Sequence, residues 1–293
     1  MQGVRRVVQY LYFPLFVFCL DGVICIIVFN KYPALLLLPT LSAGLLLSTL
    51  AERFIPYCDD FNTPRDDVLT DTWHAVVNEC EWLILVAILP LIVSWSTMDL
   101  WPKHWSPVGQ LLFAIMVTDF GVWVAHFASH KFQMLWRFHA VHHSVTRFYS
   151  FNGLMKHPMH LLIEQAPGAA LLIGLGIPHD VSIALVSCIF IQLLMQHSNV
   201  DYRIGIFEYI LSTNAVHRFH HVRDPVLGNC NYGLFTNVWD LLFGTFRFAS
   251  DRKFSVTDLG LVDSPDYPRD YIGHLLAPFG RVRPSPSSNL REQ

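Results

Sequence analysis

VGQLLFAIMVTDFGVWVAHFASH, residues 108–130, decides how this chain is read. Residues 108–126 carry Asp119 as their one Asp, Glu, Lys or Arg, and as a helix they are long enough to cross a hydrocarbon core roughly 30 Å thick. The run ends in His126 and His130, an H-x-x-x-H pair whose side chains lie on one helix face, one turn apart. A membrane span that delivers two imidazoles to its own end is the unit from which the rest follows.

Working outward, five more apolar segments are candidates for spans: Val8 to Asn30, Pro33 to Leu50, Glu81 to Trp95, Pro158 to Ile177 and Val181 to Gln196. With Val108 to His126 they make six. The Glu81 segment is short and the Pro158 segment is interrupted by Glu164 and Pro167, so the expected count is four to six. Composition agrees, since a chain that is 53% hydrophobic and 15% charged has too few polar residues to coat a soluble globule. The fold class expected is an all-α polytopic membrane protein.

A net charge of -3 without a dense basic run gives no support to a nucleic-acid partner. The 6 cysteines are scattered, with no C-x-x-C, so neither a disulfide framework nor a zinc knuckle is expected. The N-terminal apolar run is too long for a signal peptide and reads as a retained span. With the N-terminus in the cytosol, only Lys31 and Lys103 of the 20 lysines and arginines fall on the far side. This threading puts residues 127–157, and everything after His197, on the cytosolic side.

Two further clusters lie in those cytosolic segments. FHAVHH holds His139, His142 and His143, and HRFHH holds His217, His220 and His221. On helices, each H-x-x-HH can aim two or three rings at one point, so each cluster reads as half a metal site. One pair at a membrane boundary is also compatible with interfacial histidine, and one triplet with an exposed basic face. Three clusters on one side, fixed by lysine and arginine alone, favour metal. His74, His104, His179 and His274 stand alone and are expected to be solvated.

The chain resembles the fatty acid hydroxylase and sterol desaturase superfamily of integral membrane di-iron oxygenases. The resemblance rests on HFASH, on RFHAVHHS with Trp136 before it, on RFHHVRD, and on NYGLFTNVWDLLFGTF from Asn231 to Phe246. It covers roughly Val108 to Phe248 and implies a cytosolic helical cap that holds a dinuclear, histidine-rich site. It divides the chain into N-terminal spans (1–107), a catalytic domain (108–249) and a partly disordered cytosolic tail (250–293), the tail rich in proline, serine and arginine from Arg281 to Asn289.

It also implies single histidine ligands between the triplets, for which His157 in KHP and His197 in QHSN are the matching positions. His160 fits an outer position beside the ligands. Asp119, Glu164, Asn214, Asn231 and Asp240 are further polar candidates behind them, with helix capping an equal explanation for the asparagines. Ten imidazoles exceed one ion's needs and suit two iron ions, with zinc able to substitute. The resemblance implies O2 as co-substrate, electrons from a cytochrome b5-, ferredoxin- or reductase-type partner, and hydroxylation or desaturation of a sterol or fatty acyl lipid drawn from the bilayer. The aromatic stretch Phe148, Tyr149 and Phe151 is a candidate mouth, or ordinary interfacial anchors. The alternatives are an alkylglycerol (ether lipid) monooxygenase and, in another class, a histidine-lined metal transporter. Such an enzyme belongs in the endoplasmic reticulum of a eukaryote or the inner membrane of a bacterium.

Overall fold

The computed structural model describes residues 2–93 and 100–280. Among these residues the architecture is all helical, and the only extended pairings are isolated bridges from Pro56 to Val200 and from Leu211 to Thr236. In chain order the long helices are α1 (Gln2–Phe29), α2 (Leu37–Phe54), α3 (Val68–Val93), α4 (Pro107–Lys131), α5 (Gln133–His143), α6 (Pro158–Leu175) and α7 (His179–His197). Short helices α8 (Asn214–His220), α9 (Pro225–Gly228), α10 (Val238–Phe243) and α11 (Tyr271–Leu276) follow.

Among the described residues, five segments are long and apolar enough to cross a membrane: α1, α2 with its preceding turn, α3, α4 and α7. Large apolar side chains on their outer faces, such as Phe18, Leu46, Leu83 and Leu91, are exposed, as a bilayer allows and water does not. Helix α6 does not qualify by its apolarity. It nevertheless reaches the far end of the bundle, because Lys31, just after α1, forms an ion pair with Asp180 at the start of α7.

Helix α3 begins 13 residues before the expected Glu81, at Val68. The reason is a polar stripe. Thr70, His74 and Asn78 recur every four residues and are buried, so that half of α3 grips the cap instead of facing lipid. Asn78 donates to the carbonyls of Leu154 and Lys156, and Thr70 donates to that of Arg269. The expected end of that span at Trp95 lies outside the described residues.

Helices α4 and α6 cross where Gly121 meets Gly168. A Cβ on Gly121 would fall far inside van der Waals contact with the Gly168 backbone, which cannot yield as a side chain can. This contact sits about one turn below His126, so it sets the depth at which α4 offers its histidines. Gly121→Ala is expected to destabilise the protein by about 3 kcal/mol, at the upper end of the usual overpacking range. Gly22→Ala on α1, where nothing lies within 4 Å, should be neutral or better. Thermal unfolding in detergent compares the two, and equal midpoints would refute the crossing as a constraint.

The segment expected to be a solvated tail packs onto the cap as far as Gly280. Phe254 is buried against Phe219, and Leu259 joins Phe61 and Phe148. His74 and His274, expected to be solvated, are instead buried side by side, with His74 Nε2 3.1 Å from His274 Nδ1. Their outer nitrogens meet the carbonyls of Lys156 and Pro268. Isolated spacing hid them because the partners are 200 residues apart. His104 and His179 are exposed, as expected. Residues 281–293, including the stretch from Arg281 to Asn289, lie outside the described residues.

Candidate metal centre

Four elements converge at one end of the bundle: the end of α4, all of α5, the end of α7, and α8 with the residue after it. They bring nine histidines into two groups. His126, His130, His139, His143 and His220 form one, and His142, His197, His217 and His221 form the other. All nine are buried.

The partition corrects the expectation that each triplet builds half of the site around a single point. Adjacent residues on a helix are about 100° apart and cannot face the same centre, whereas residues four apart can. His139 and His143 therefore serve the first group, and His142 serves the second. On α8 the assignment is mirrored, with His217 and His221 in the second group and His220 in the first. The two groups abut, the His143 and His221 rings stacking with centroids 4.7 Å apart.

Hydrogen bonds fix which ring nitrogen faces inward. His126 Nδ1 meets the Tyr232 carbonyl at 2.9 Å, His220 Nδ1 that of Cys230 at 2.8 Å, and His142 Nδ1 that of Met155 at 2.9 Å. A carbonyl only accepts, so each Nδ1 is the protonated atom, and each Nε2 carries a lone pair that points into the group. His130 Nδ1 reaches Asn229 Oδ1, giving the same polarity, and His139 Nδ1 is hydrogen-bonded to His160 Nε2, a contact in which either ring can donate.

Within the first group the Nε2 atoms lie 2.8–3.0 Å apart: His126 to His139 and to His220, and His139 to His130 and to His143. In the second they lie 3.1–3.2 Å apart, His197 to His142 and to His217, and His217 to His221. Where the Nδ1 proton is held by a carbonyl, as at His126 and His220, lone pairs crowded in this way repel unless a cation sits among them. With metal-to-nitrogen bonds of about 2.0–2.1 Å, ligands at right angles would be about 3 Å apart, the spacing found here. The donor set fits two metal ions. Burial first, and neighbouring rings second, hold His139, His143, His217 and His221 well below the usual imidazole range, so these rings are neutral and able to ligate.

His157 joins neither group. Its Nδ1 accepts from the Met159 N–H as the N-cap of α6, and its Nε2 reaches the Leu275 carbonyl at 3.3 Å, so no ring nitrogen is left for a metal. His160 stands behind His139, with Glu164 3.8 Å from it. Glu164 also forms a fully buried ion pair with Lys156. Both charged groups line a cavity of about 10 Å³ between the two groups, walled also by His126, His142, His197 and His217. Lys156 was not legible as a site residue, since a lone lysine near a span end reads as a cytosolic charge.

Asp119 and Asp240 hold the loop that orients His126. Asp240 accepts from the Trp123 indole, the backbone N–H groups of Tyr232 and Gly233, and the Thr245 hydroxyl. Asp119 accepts from the Leu234 and Phe235 N–H groups and from the Thr236 hydroxyl. Neither touches a ring of either group. Asn214 donates to the Ser198 and Val200 carbonyls, tying α8 to the chain just past His197. Asn231 adopts φ 55°, which asparagine tolerates, and clamps Val216 and Arg247. Asp240→Asn turns one acceptor oxygen into a donor, facing N–H and O–H donors. It is expected to cost about 2–3 kcal/mol, read as a lower unfolding midpoint, with metal content reduced in parallel. An unchanged midpoint would deny the clamp.

Phe148 is no mouth. It is fully buried, stacking on His197 at 5.3 Å and edge-on to His221, while the Tyr149 hydroxyl donates to Asp71.

The fold and this site together define a polytopic helical membrane protein built around paired histidine groups. A fatty acid hydroxylase family model matches residues 111–245. The chain is 31% identical to ornithine lipid hydroxylase OlsE of Rhizobium tropici over 250 residues, which are 80% of this chain and 74% of that protein. Alkylglycerol monooxygenase of Danio rerio is 27% identical over 64% of this chain and 42% of its own length. A probable Delta(7)-sterol 5(6)-desaturase of Neurospora crassa is 26% identical over 53% of this chain and 45% of its own. The chain thus spans less than half the length of these last two relatives. No solved structure matches it significantly. The chain belongs to the fatty acid hydroxylase family and is an oxygenase-class integral membrane enzyme. The transporter reading finds no support in these relationships.

Proposed function

We propose that the chain is an O2-dependent di-iron hydroxylase of a polar membrane lipid, working at the cytosolic face, with ornithine-type acyl lipids the first substrates to try. The observation that carries this reading is the pair of histidine groups whose Nε2 lone pairs converge at about metal-ligand spacing. His126, His130, His139, His143 and His220 would hold one iron, and His142, His197, His217 and His221 the other. When bound, the irons supply from O2, with electrons from a cytochrome b5-, ferredoxin- or reductase-type donor, an oxidising strength that no side chain has.

The protein's own part is to hold and exclude. Backbone carbonyls of Tyr232, Cys230 and Met155 fix the ring tautomers, and burial keeps bulk water from the rings. An apolar cavity of about 120 Å³ lies among α3, α4, α6 and α7, lined by residues such as Leu89, Leu172 and Ile189. Thr118 on its wall is one helical turn from Val122, which lines the small cavity between the histidine groups. An acyl chain taking this route from the bilayer would bring a methylene toward the histidine groups without exposing it to water. An ether lipid is the second substrate to try, given the alkylglycerol monooxygenase match over 64% of the chain.

The test is turnover of the purified, iron-loaded protein with isotopically labelled O2, a chemical reductant, and either ornithine lipid or an alkylglycerol. One labelled oxygen atom in the acyl chain is expected. Label released with an aldehyde from the alkylglycerol would select the second reading, and no label in either lipid would overturn both.

A further inference from the structure

The second triplet contains a residue that the metal reading leaves unused. Arg218 stands between His217 and Phe219 on α8, and a helix that turns its histidines toward the metal groups turns this position away from them. Arg218 is only 4% exposed, and its guanidinium lies over the Tyr57 ring with Cζ 3.8 Å from the centroid. Its Nε and Nη1 are buried and hydrogen-bond to nothing. Leaving two donors of a buried guanidinium unpaired is costly, because they lose water and gain no acceptor in return.

The nearby carboxylates do not take up those donors. Glu208 accepts from the Thr213 hydroxyl, and Asp201 is bonded by Gln9 and faces Arg5 and Arg203, each at 4.0 Å. Arg218 lines a cavity of about 430 Å³ whose wall also bears Arg203, Arg252, Lys253, the Tyr57 ring and the two carboxylates just described, Asp201 and Glu208, so that cations outnumber anions around it. Its rim includes Tyr10, on the membrane-spanning α1, and Ile206, which is 75% exposed; Phe207 beside it is 57% exposed. The mouth therefore carries apolar side chains next to a span, together with the exposed Arg203 and Lys253, while the floor holds the Arg218 guanidinium on the Tyr57 ring.

We propose that this cavity is a binding site for the anionic headgroup of a membrane lipid, a phosphate or carboxylate received by Arg218 with Arg203 and Lys253 while Tyr10 and Ile206 meet its chains. Guanidinium presents a planar fork of donors suited to such oxyanions. Tyr10 on α1 and the exposed Ile206 at the rim select a lipid over a free anion. The site lies across α8 from the histidine rings, so lipid binding and metal content are read as separate quantities.

The test is native mass spectrometry of the full chain in detergent, titrated with phosphatidylglycerol, phosphatidylcholine or inorganic phosphate. Wild type is expected to bind one phosphatidylglycerol with about tenfold preference over phosphatidylcholine, in line with one or two charge-assisted contacts. Arg218→Gln, and separately Arg203→Gln/Lys253→Gln on the rim, should abolish that preference without changing the metal content. If Arg218→Gln does not fold, the rim variant decides. Equal binding of the two lipids, or a rim variant that keeps the wild-type preference, would overturn the site. Displacement of phosphatidylglycerol by inorganic phosphate at comparable concentration would overturn its assignment to a lipid. Metal content, measured alongside, reports separately on the oxygenase reading.

Discussion

His217→Ala/His221→Ala is expected to leave one metal ion per chain, and His126→Ala/His130→Ala is expected to do the same by emptying the other group. Each pair removes ligands from one group only. Disturbing a residue merely behind a ligand costs 10- to 100-fold in metal affinity, so losing two direct ligands should exceed about a hundredfold. By contrast His142→Ala/His143→Ala, neighbours in sequence, takes one ligand from each group and should weaken both ions. Metal analysis of the purified variants measures this directly. If the first two pairs each lost both ions, or neither lost any, the division into two groups would fall.

Lys156→Met should be among the most damaging substitutions outside the histidines. It strands Glu164 as an unpaired carboxylate in a site where the two side chains are only 6% and 3% exposed, so solvent does little to relieve it. Breaking one side of such a pair costs about 3–5 kcal/mol, whereas replacing both partners with neutral groups is often close to harmless. Lys156→Met/Glu164→Gln is therefore expected to regain most of the unfolding midpoint that the single variant loses. A double variant no better than the single would mean that Lys156 acts through something other than this ion pair.

Much of the site could be read from the chain, because the spacings that carry it are short. H-x-x-x-H and H-x-x-HH fall within one or two helical turns, and nine of the ten histidines expected as ligands come together in the fold. The division of each triplet between two groups follows from the same helical geometry. Taking each triplet as a unit conceals it. His157 misled because a histidine before proline serves as well for capping as for ligation, and only Met159 and Leu275 show which. The first half of α3 was hidden for a different reason. Its buried face is polar, so a hydropathy reading sees a loop where Asp71, His74 and Asn78 anchor the cap. Lys156 with Glu164, and His74 with His274, depend on tertiary contacts that no local pattern encodes.

The burial of all nine rings also has a kinetic meaning. In the di-iron enzyme proposed above, an ion among these buried rings would exchange through a local parting of α5 and α8 from α4 and α7. Which metal a molecule carries would then be decided while the cap is closing, and a cell short of iron at that moment would produce mismetallated molecules that later iron repairs slowly.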